Sequence, residues 1–237
     1  MAHLLSSSQK LQRAALAVVA LTFSVLHQPV KAYTPTEPAI AGEALVIDGD
    51  TLEVAGRRIR LEGIDAPETA QSCQSDSGAA WRCGLAARKM VVELTRGQTV
   101  ACDPVGRDKY SRTLAICFVE GESINAMLVK AGLARAFVKY SSMYVTEEEE
   151  ARSAHRGLWQ ADNLAPWDYR HGRWQSAEVH APNGCAIKGN ISSKGMIYHT
   201  PWSAWYDKVK IDEARGERWF CSEAEALAAG WRAAQRR

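Results

Sequence analysis

The chain has 237 residues and a formal net charge of +2, with 46% hydrophobic and 24% charged residues. That length holds one or two domains with a sizeable core, and the composition is that of an ordinary globular protein. The near-zero charge excludes a polycation that binds nucleic acid by bulk attraction, so any such binding depends on local placement of Arg and Lys.

Residues 1–32 have the pattern of a signal peptide. Lys10 and Arg13 precede an apolar run from Ala14 to about Leu26, and Val30-Lys31-Ala32 offers small residues for cleavage. The run is too short to span a bilayer comfortably. A secreted or periplasmic chain starting near Tyr33 is expected, with no membrane attachment after cleavage and a formal charge of −1 once Lys10, Arg13 and Lys31 are removed. Residues 33–41, with Pro35 and Pro38, read as a linker.

From 42 to 165 the pattern is that of one α+β domain. Leu52 and Val54 alternate with polar neighbours, Ile59 and Leu61 do the same, and Ala55-Gly56 lies between them, which predicts a β-hairpin. Asp-Gly at 48–49 and the Gly63–Pro67 segment break the pattern on either side, so Asp50, Asp65 and Glu68 fall at strand ends or in loops beside the hairpin. Carboxylates from neighbouring strands, a backbone carbonyl and waters suit a hard cation such as Ca2+. Pro67 favours an extended Ala66, whose carbonyl is then free to face a metal. Arg58 and Arg60 share the polar face of their strand, and a guanidinium beside a cation is what a phosphodiester requires.

Further on, Gly84 to about Arg96 reads as a helix stopped by Gly97. Ser123 caps a second, Ile124 to Ala131, closed by Gly132. Thr146 with Glu149 reads as a capping box for a third that ends near Gly157. The acidic run Glu147–Glu150 suits a first helical turn through the macrodipole alone.

The six cysteines all follow the signal, and in an exported chain an even count favours disulfides. Cys102 and Cys117 lie on strand-like runs facing each other across a turn, Cys73 and Cys83 bracket a polar loop, and Cys185 and Cys221 remain for the tail. Those three bridges are expected. There is no Cys-x-x-Cys, which argues against zinc.

The motifs Asp48-Gly-Asp-Thr51, Arg60-Leu-Glu-Gly-Ile-Asp-Ala-Pro-Glu-Thr69, Asp108-Lys-Tyr-Ser-Arg112 and Gly132-Leu-Ala134, in that order, resemble the staphylococcal nuclease (thermonuclease) family over roughly residues 40–165. The resemblance implies a five-stranded OB-type β-barrel with three helices, and a Ca2+-dependent endonuclease that cuts DNA and RNA to 3′-phosphate products. Mapped by motif, Asp50, Asp65 and the Ala66 carbonyl would bind Ca2+, with Asp48 behind them. Ala66 replaces the family's usual threonine, which preserves a main-chain ligand but not a hydroxyl contact. Glu68 matches the glutamate cast as general base or water-positioning group, and Arg60 and Arg112 match the phosphate-binding arginines. Lys109 and Tyr110 would border the nucleotide pocket, and Tyr140 would stack on a base or simply pack.

Simpler roles compete with these. Asp48 and Asp50 are also turn formers, Arg60 could be a solvated strand residue, and Arg112 could merely pair with Asp108. His155 and His171 show no ligand spacing.

The tail is distinct. From Pro166 it is Trp-rich and carries a net +3, against −3 for residues 40–165. It reads as a linker, 166–184, and a small module, 185–237, stapled by Cys185–Cys221, with a final helix from Glu223 to Ala229 capped by Ser222. The module's ligand is open, and the protein is expected to be a monomer. Two other readings compete with a nuclease. One is a catalytically silent nucleic-acid-binding module, against which the intact acid and arginine set argues. The other is an envelope or exopolysaccharide factor acting through the tail, for which no residue suggests sugar-transfer chemistry.

Overall fold

The computed structural model describes residues 39–110 and 112–234. The signal-peptide reading of residues 1–32 and most of the 33–41 linker lie outside them. Ile40 and Ala41, expected to close that linker, instead open strand β1 (Ile40–Gly42), because their backbone pairs with Cys102 and Ala101 at the edge of the main sheet.

The chain continues through β2 (Ala44–Val46), β3 (Thr51–Val54), β4 (Arg57–Leu61), β5 (Ile64–Asp65), β6 (Cys73–Gln74), β7 (Ala80–Trp81), α1 (Cys83–Thr95), β8 (Val100–Arg107), β9 (Thr113–Val119), β10 (Glu122–Ser123), α2 (Ile124–Lys130), β11 (Arg135–Ala136) and α3 (Val145–Ser153). The hairpin is β3–β4, turning on Ala55 (φ 49°) and Gly56 (φ 72°), the positive angles a two-residue hairpin loop requires. The curled main sheet runs β1-β8-β9-β4-β3-β2 with β10 on β9. It keeps the five expected strands and adds two short ones, β1 and β10. β4 and β9 pair parallel, and this brings the loop before Thr113 alongside Arg60.

Alternation buries Leu52, Val54, Ile59 and Leu61 against Val91 of α1 and Leu128 of α2. Asn125 ties helix to sheet: its Oδ1 accepts the Cys117 N–H (3.1 Å) and its Nδ2 donates to the Glu62 carbonyl (2.9 Å). Ser123 caps α2 as expected, its Oγ accepting the Ala126 N–H at 3.2 Å. The capping box at Thr146 does not form. The helix starts two residues earlier, at Val145, and its N-cap is Tyr144, whose ring is buried in the core and so fixes the chain direction ahead of any side-chain cap. The helix also stops at Ser153, short of Gly157. Gly132 and Gly157 pack backbone to backbone, with the Leu158 N–H donating to the Gly132 carbonyl at 2.8 Å, and neither position has room for a Cβ.

The span 166–184, expected as a linker, carries a 13-residue helix, α4 (Pro166–Glu178). Pro166 suits its first turn, and Trp167 stacks on Phe137 with ring centroids 5.4 Å apart. Beyond it lie β12 (Ile187–Ser192), β13 (Gly195–His199), β14 (Arg218–Phe220), α5 (Glu223–Ala228) and β15 (Arg232–Ala233). They form a four-stranded sheet, β14-β12-β13-β15, over a small core of Ile187, Tyr198, Phe220, Ala226 and Trp231. The three disulfides are Cys73–Cys83, Cys102–Cys117 and Cys185–Cys221, as expected, and Ser222 caps α5. Among the described residues no helix is long and apolar enough to cross a membrane.

Candidate active site

The hairpin and the turn after it carry the acids. Asp50 precedes β3, with its N–H donating to Asp48 Oδ1 at 3.1 Å and its carbonyl accepting from Leu61 at 2.8 Å, so both backbone groups hold it in place. Asp65 is fully buried on β5, which is pinned by its pairing with β11. Arg60 of β4 reaches both: Nη1 donates to Asp50 Oδ1 at 2.6 Å and Nη2 to Asp65 Oδ1 at 2.8 Å. Asp50 Oδ2 accepts the Ala66 N–H at 3.0 Å, which brings the Asp65–Ala66 peptide beside the same carboxylate. Asp50, Arg60, Asp65 and Ala66 are thus gathered at one point.

Glu68 lies on the same cleft floor. Buried Gln71 holds its loop, accepting the Glu68 N–H (3.3 Å) and donating its own N–H to the Glu68 carbonyl (2.7 Å). Gly84 at the start of α1 packs so tightly on that carbonyl that a Cβ would overlap it.

A third arginine joins them that the sequence reading missed. Arg170 of α4 donates Nη2 to Asp65 Oδ2 at 2.6 Å, and Nη1 to Asp65 Oδ1 at 3.1 Å and Glu68 Oε1 at 3.0 Å. The available signal was Trp167, Arg170 and Trp174 at i, i+3 and i+7 behind a helix-starting proline.

Arg112 is not in direct contact with this group. Its Nε donates to Asp108 Oδ2 at 2.7 Å, the pairing that competes with its phosphate-binding role, yet it lines the same cleft and its charge helps hold Asp50 ionised. Lys109 is exposed over the Tyr110 ring, and Tyr140 is two-thirds exposed, edge-on to Phe137. Both tyrosines and Lys109 line the cleft, whose volume is about 820 Å3.

The acids respond differently to their surroundings. Burial pushes Asp50 up, but Arg60, the Ala66 N–H and Arg170 outweigh it and hold the carboxyl below its ordinary value. Burial raises Asp48 to about 6, helped by the neighbouring Asp50 charge. Burial raises Glu68 to about 8, against the pull of Arg170. Four carboxylates, Asp48, Asp50, Asp65 and Glu68, face two guanidinium groups, Arg60 and Arg170, which leaves negative charge in excess when all are ionised.

That excess suits a divalent cation, and the two buried carboxylates Asp50 and Asp65 are hard-oxygen donors of the type that Ca2+ accepts. Among the described residues no three His, Cys, Asp or Glu side chains form a metal-holding cluster, so the fit rests on two aspartates, backbone and water. Chemically, the arrangement joins anchored acids to guanidinium donors in one cleft, a combination suited to a phosphate ester once a cation is bound.

The fold is thus of the α+β class, a curled sheet with an acid and arginine centre in its cleft. The model described as "Staphylococcal nuclease homologue" matches residues 58–161, and one described as "ArfC" matches 169–233. The chain is 31% identical to the micrococcal nuclease of Shigella flexneri over 72% of this chain and 95% of that one. It is 30% identical to the thermonuclease of Staphylococcus intermedius over 62% of this chain and 93% of that one. It is also 38% identical to the succinoglycan biosynthesis protein ExoI of Rhizobium meliloti, over 53% of this chain and 66% of that one, just under two thirds of the relative's length. The chain belongs to the staphylococcal nuclease family.

Proposed function

We propose that this protein is an exported, Ca2+-dependent endonuclease that hydrolyses phosphodiester bonds of DNA and RNA to 3′-phosphate products. The observation that carries the reading is the convergence of Asp50 and Asp65 on the Arg60 guanidinium, with Glu68 joined to Asp65 through Arg170.

Asp50, Asp65 and the Ala66 carbonyl would hold the cation, which when bound polarises a phosphoryl oxygen and lowers the pKa of water. Asp48 backs this set through its hydrogen bond to the Asp50 N–H. Arg60 and Arg112 offer planar donors to the non-bridging oxygens, where charge builds in the transition state. Glu68 accepts a proton from the attacking water or orients it, and Gln71 and Gly84 fix where that carboxylate stands. Lys109, Tyr110 and Tyr140 border the path of the chain on either side of the scissile bond.

Purified protein should degrade single-stranded DNA with Ca2+ and stop in chelator. Arg60→Ala and Glu68→Gln should each lower kcat by about 10^2–10^3, the usual consequence of removing one preorganised transition-state group. Undiminished activity in chelator rejects the cation. Binding without cleavage under every metal condition replaces the enzyme with a silent nucleic-acid-binding module.

A further inference from the structure

The tail module walls the catalytic cleft, and α4 ties that wall to the reacting centre. From one face of α4, Arg170 reaches Asp65 and Glu68. From the next turn, Arg173 Nε donates to the Pro201 carbonyl at 2.9 Å and its guanidinium pairs with Asp207 at 3.2 Å, while Trp174 leans on Trp202 with centroids 6.2 Å apart. The segment 200–209 is held from below as well, because Lys188 Nζ donates to the carbonyls of Tyr206 (3.0 Å) and Val209 (2.8 Å). Trp202 and Trp205 therefore stand on a braced loop at a fixed distance from the acids, and both line the cleft.

Trp205 is 44% exposed there, although a structural indole in so small a module would be buried in its core, as Trp231 is. The barrel side of the cleft carries Arg58 and Arg112 among the acids Glu62 and Asp108, both arginines act electrostatically on Tyr198 of the module, and Arg58 Nε is buried without a hydrogen-bond partner. Lys208 Nζ lies over one face of the Trp205 indole, 4.8 Å from its centroid, and an exposed indole edge and remaining face in a cleft that also holds arginines fit a polymer with a flat ring and a phosphate in each unit.

We infer that Trp205, braced beside Trp202, is a base-stacking subsite for single-stranded nucleic acid, so that the tail module is part of the nuclease's substrate-binding cleft. This rests on the nuclease reading above and adds a contact that the barrel alone does not supply. Neutral polysaccharide, which also stacks on indoles, lacks the phosphates that Arg58 and Arg112 would meet.

The test uses the full chain and a phosphorothioate oligothymidylate in chelator, with binding read by fluorescence anisotropy. Trp205→Ala should weaken binding about tenfold, equivalent to about 1.4 kcal/mol, and Trp205→Phe should recover most of it. With Ca2+, Trp205→Ala should lower kcat/KM for oligothymidylate relative to an abasic deoxyribose-phosphate oligomer of the same length by a similar factor, since the abasic chain has phosphates but no ring to stack. Unchanged oligonucleotide affinity in Trp205→Ala overturns the inference, as does quenching of Trp205 by a neutral oligosaccharide but not by oligothymidylate. If wild-type protein binds the oligonucleotide through Trp205 yet hydrolyses neither substrate, the nuclease reading fails and the subsite stands.

Discussion

Replacing Arg170 with alanine tests whether the acid cluster needs a second guanidinium beside Arg60. Arg170 is 22% exposed and meets Asp65, whose side chain has no exposure, and Glu68, which is 19% exposed. Removing one partner of a fully buried pair costs about 3–5 kcal/mol, mostly because the other charge stays buried and uncompensated. Water reaches one side of this guanidinium, so about 2–3 kcal/mol is the appropriate magnitude after screening. At about 2–4 °C per kcal/mol for a chain of this size, the melting midpoint in chelator should fall by about 5–10 °C. Calcium gives a second readout. A bound ligand stabilises by about 2.7 kcal/mol at a hundredfold excess over its Kd, and in Arg170→Ala only Arg60 still competes with the cation for Asp65. Added Ca2+ should therefore raise the midpoint of Arg170→Ala by more than it raises that of the wild type. Scanning fluorimetry with and without Ca2+ measures both. A variant that melts with the wild type in chelator, or equal calcium shifts in the two proteins, would refute the argument.

Two other predictions concern stability. Burial, with Lys188 nearby, pushes His199 down to about 4, while its Nε2 bonds Asn190 Oδ1 at 2.9 Å. In the unfolded chain this ring titrates near 6.5, so its contribution is fully present above that pH. The contribution falls as pH drops from about 6.5 towards 4, because the unfolded state takes up the proton first. Glu68 and Asp48, both raised, act in the opposite direction over this window, so the test is a difference: between pH 7.5 and pH 5 the urea-derived stability of the wild type should change by about 1–2 kcal/mol more unfavourably than that of His199→Gln, and equal pH slopes in the two proteins would contradict it. Asn125→Ala leaves the buried Cys117 N–H and the Glu62 carbonyl without their side-chain partner, and should cost about 2–4 kcal/mol in chemical denaturation. A loss below about 0.5 kcal/mol would mean that another group replaces the amide.

Local rules made much of this chain legible before any fold was in view. Period-two alternation located β3 and β4, Ala55-Gly56 located their turn, and Ser123 and Ser222 marked the starts of α2 and α5. These features depend on contacts a few residues apart, which the order of residue types specifies directly. The three cysteine pairs were equally readable, because two of them close loops of only 10 and 15 residues and the third takes what remains.

Where local signals compete, the sequence misled. Thr146 with Glu149 has the pattern of a capping box, but burial of the Tyr144 ring decides where α3 begins. Residues 166–184 lack an aliphatic stripe, and α4 forms there because Trp167 and Trp174 find aromatic partners in other segments.

Residue order by itself determined the family motifs, the hairpin and the identity of the acids and arginines at 50, 60, 65 and 68. Tertiary structure alone decided that Asp50 and Asp65 share one guanidinium and that Arg170 crosses more than 100 positions of sequence to reach Asp65. The physical reason is that hydrogen-bond and helix periodicities act over a few residues. The meeting of two charges far apart in sequence depends on how whole helices and sheets pack.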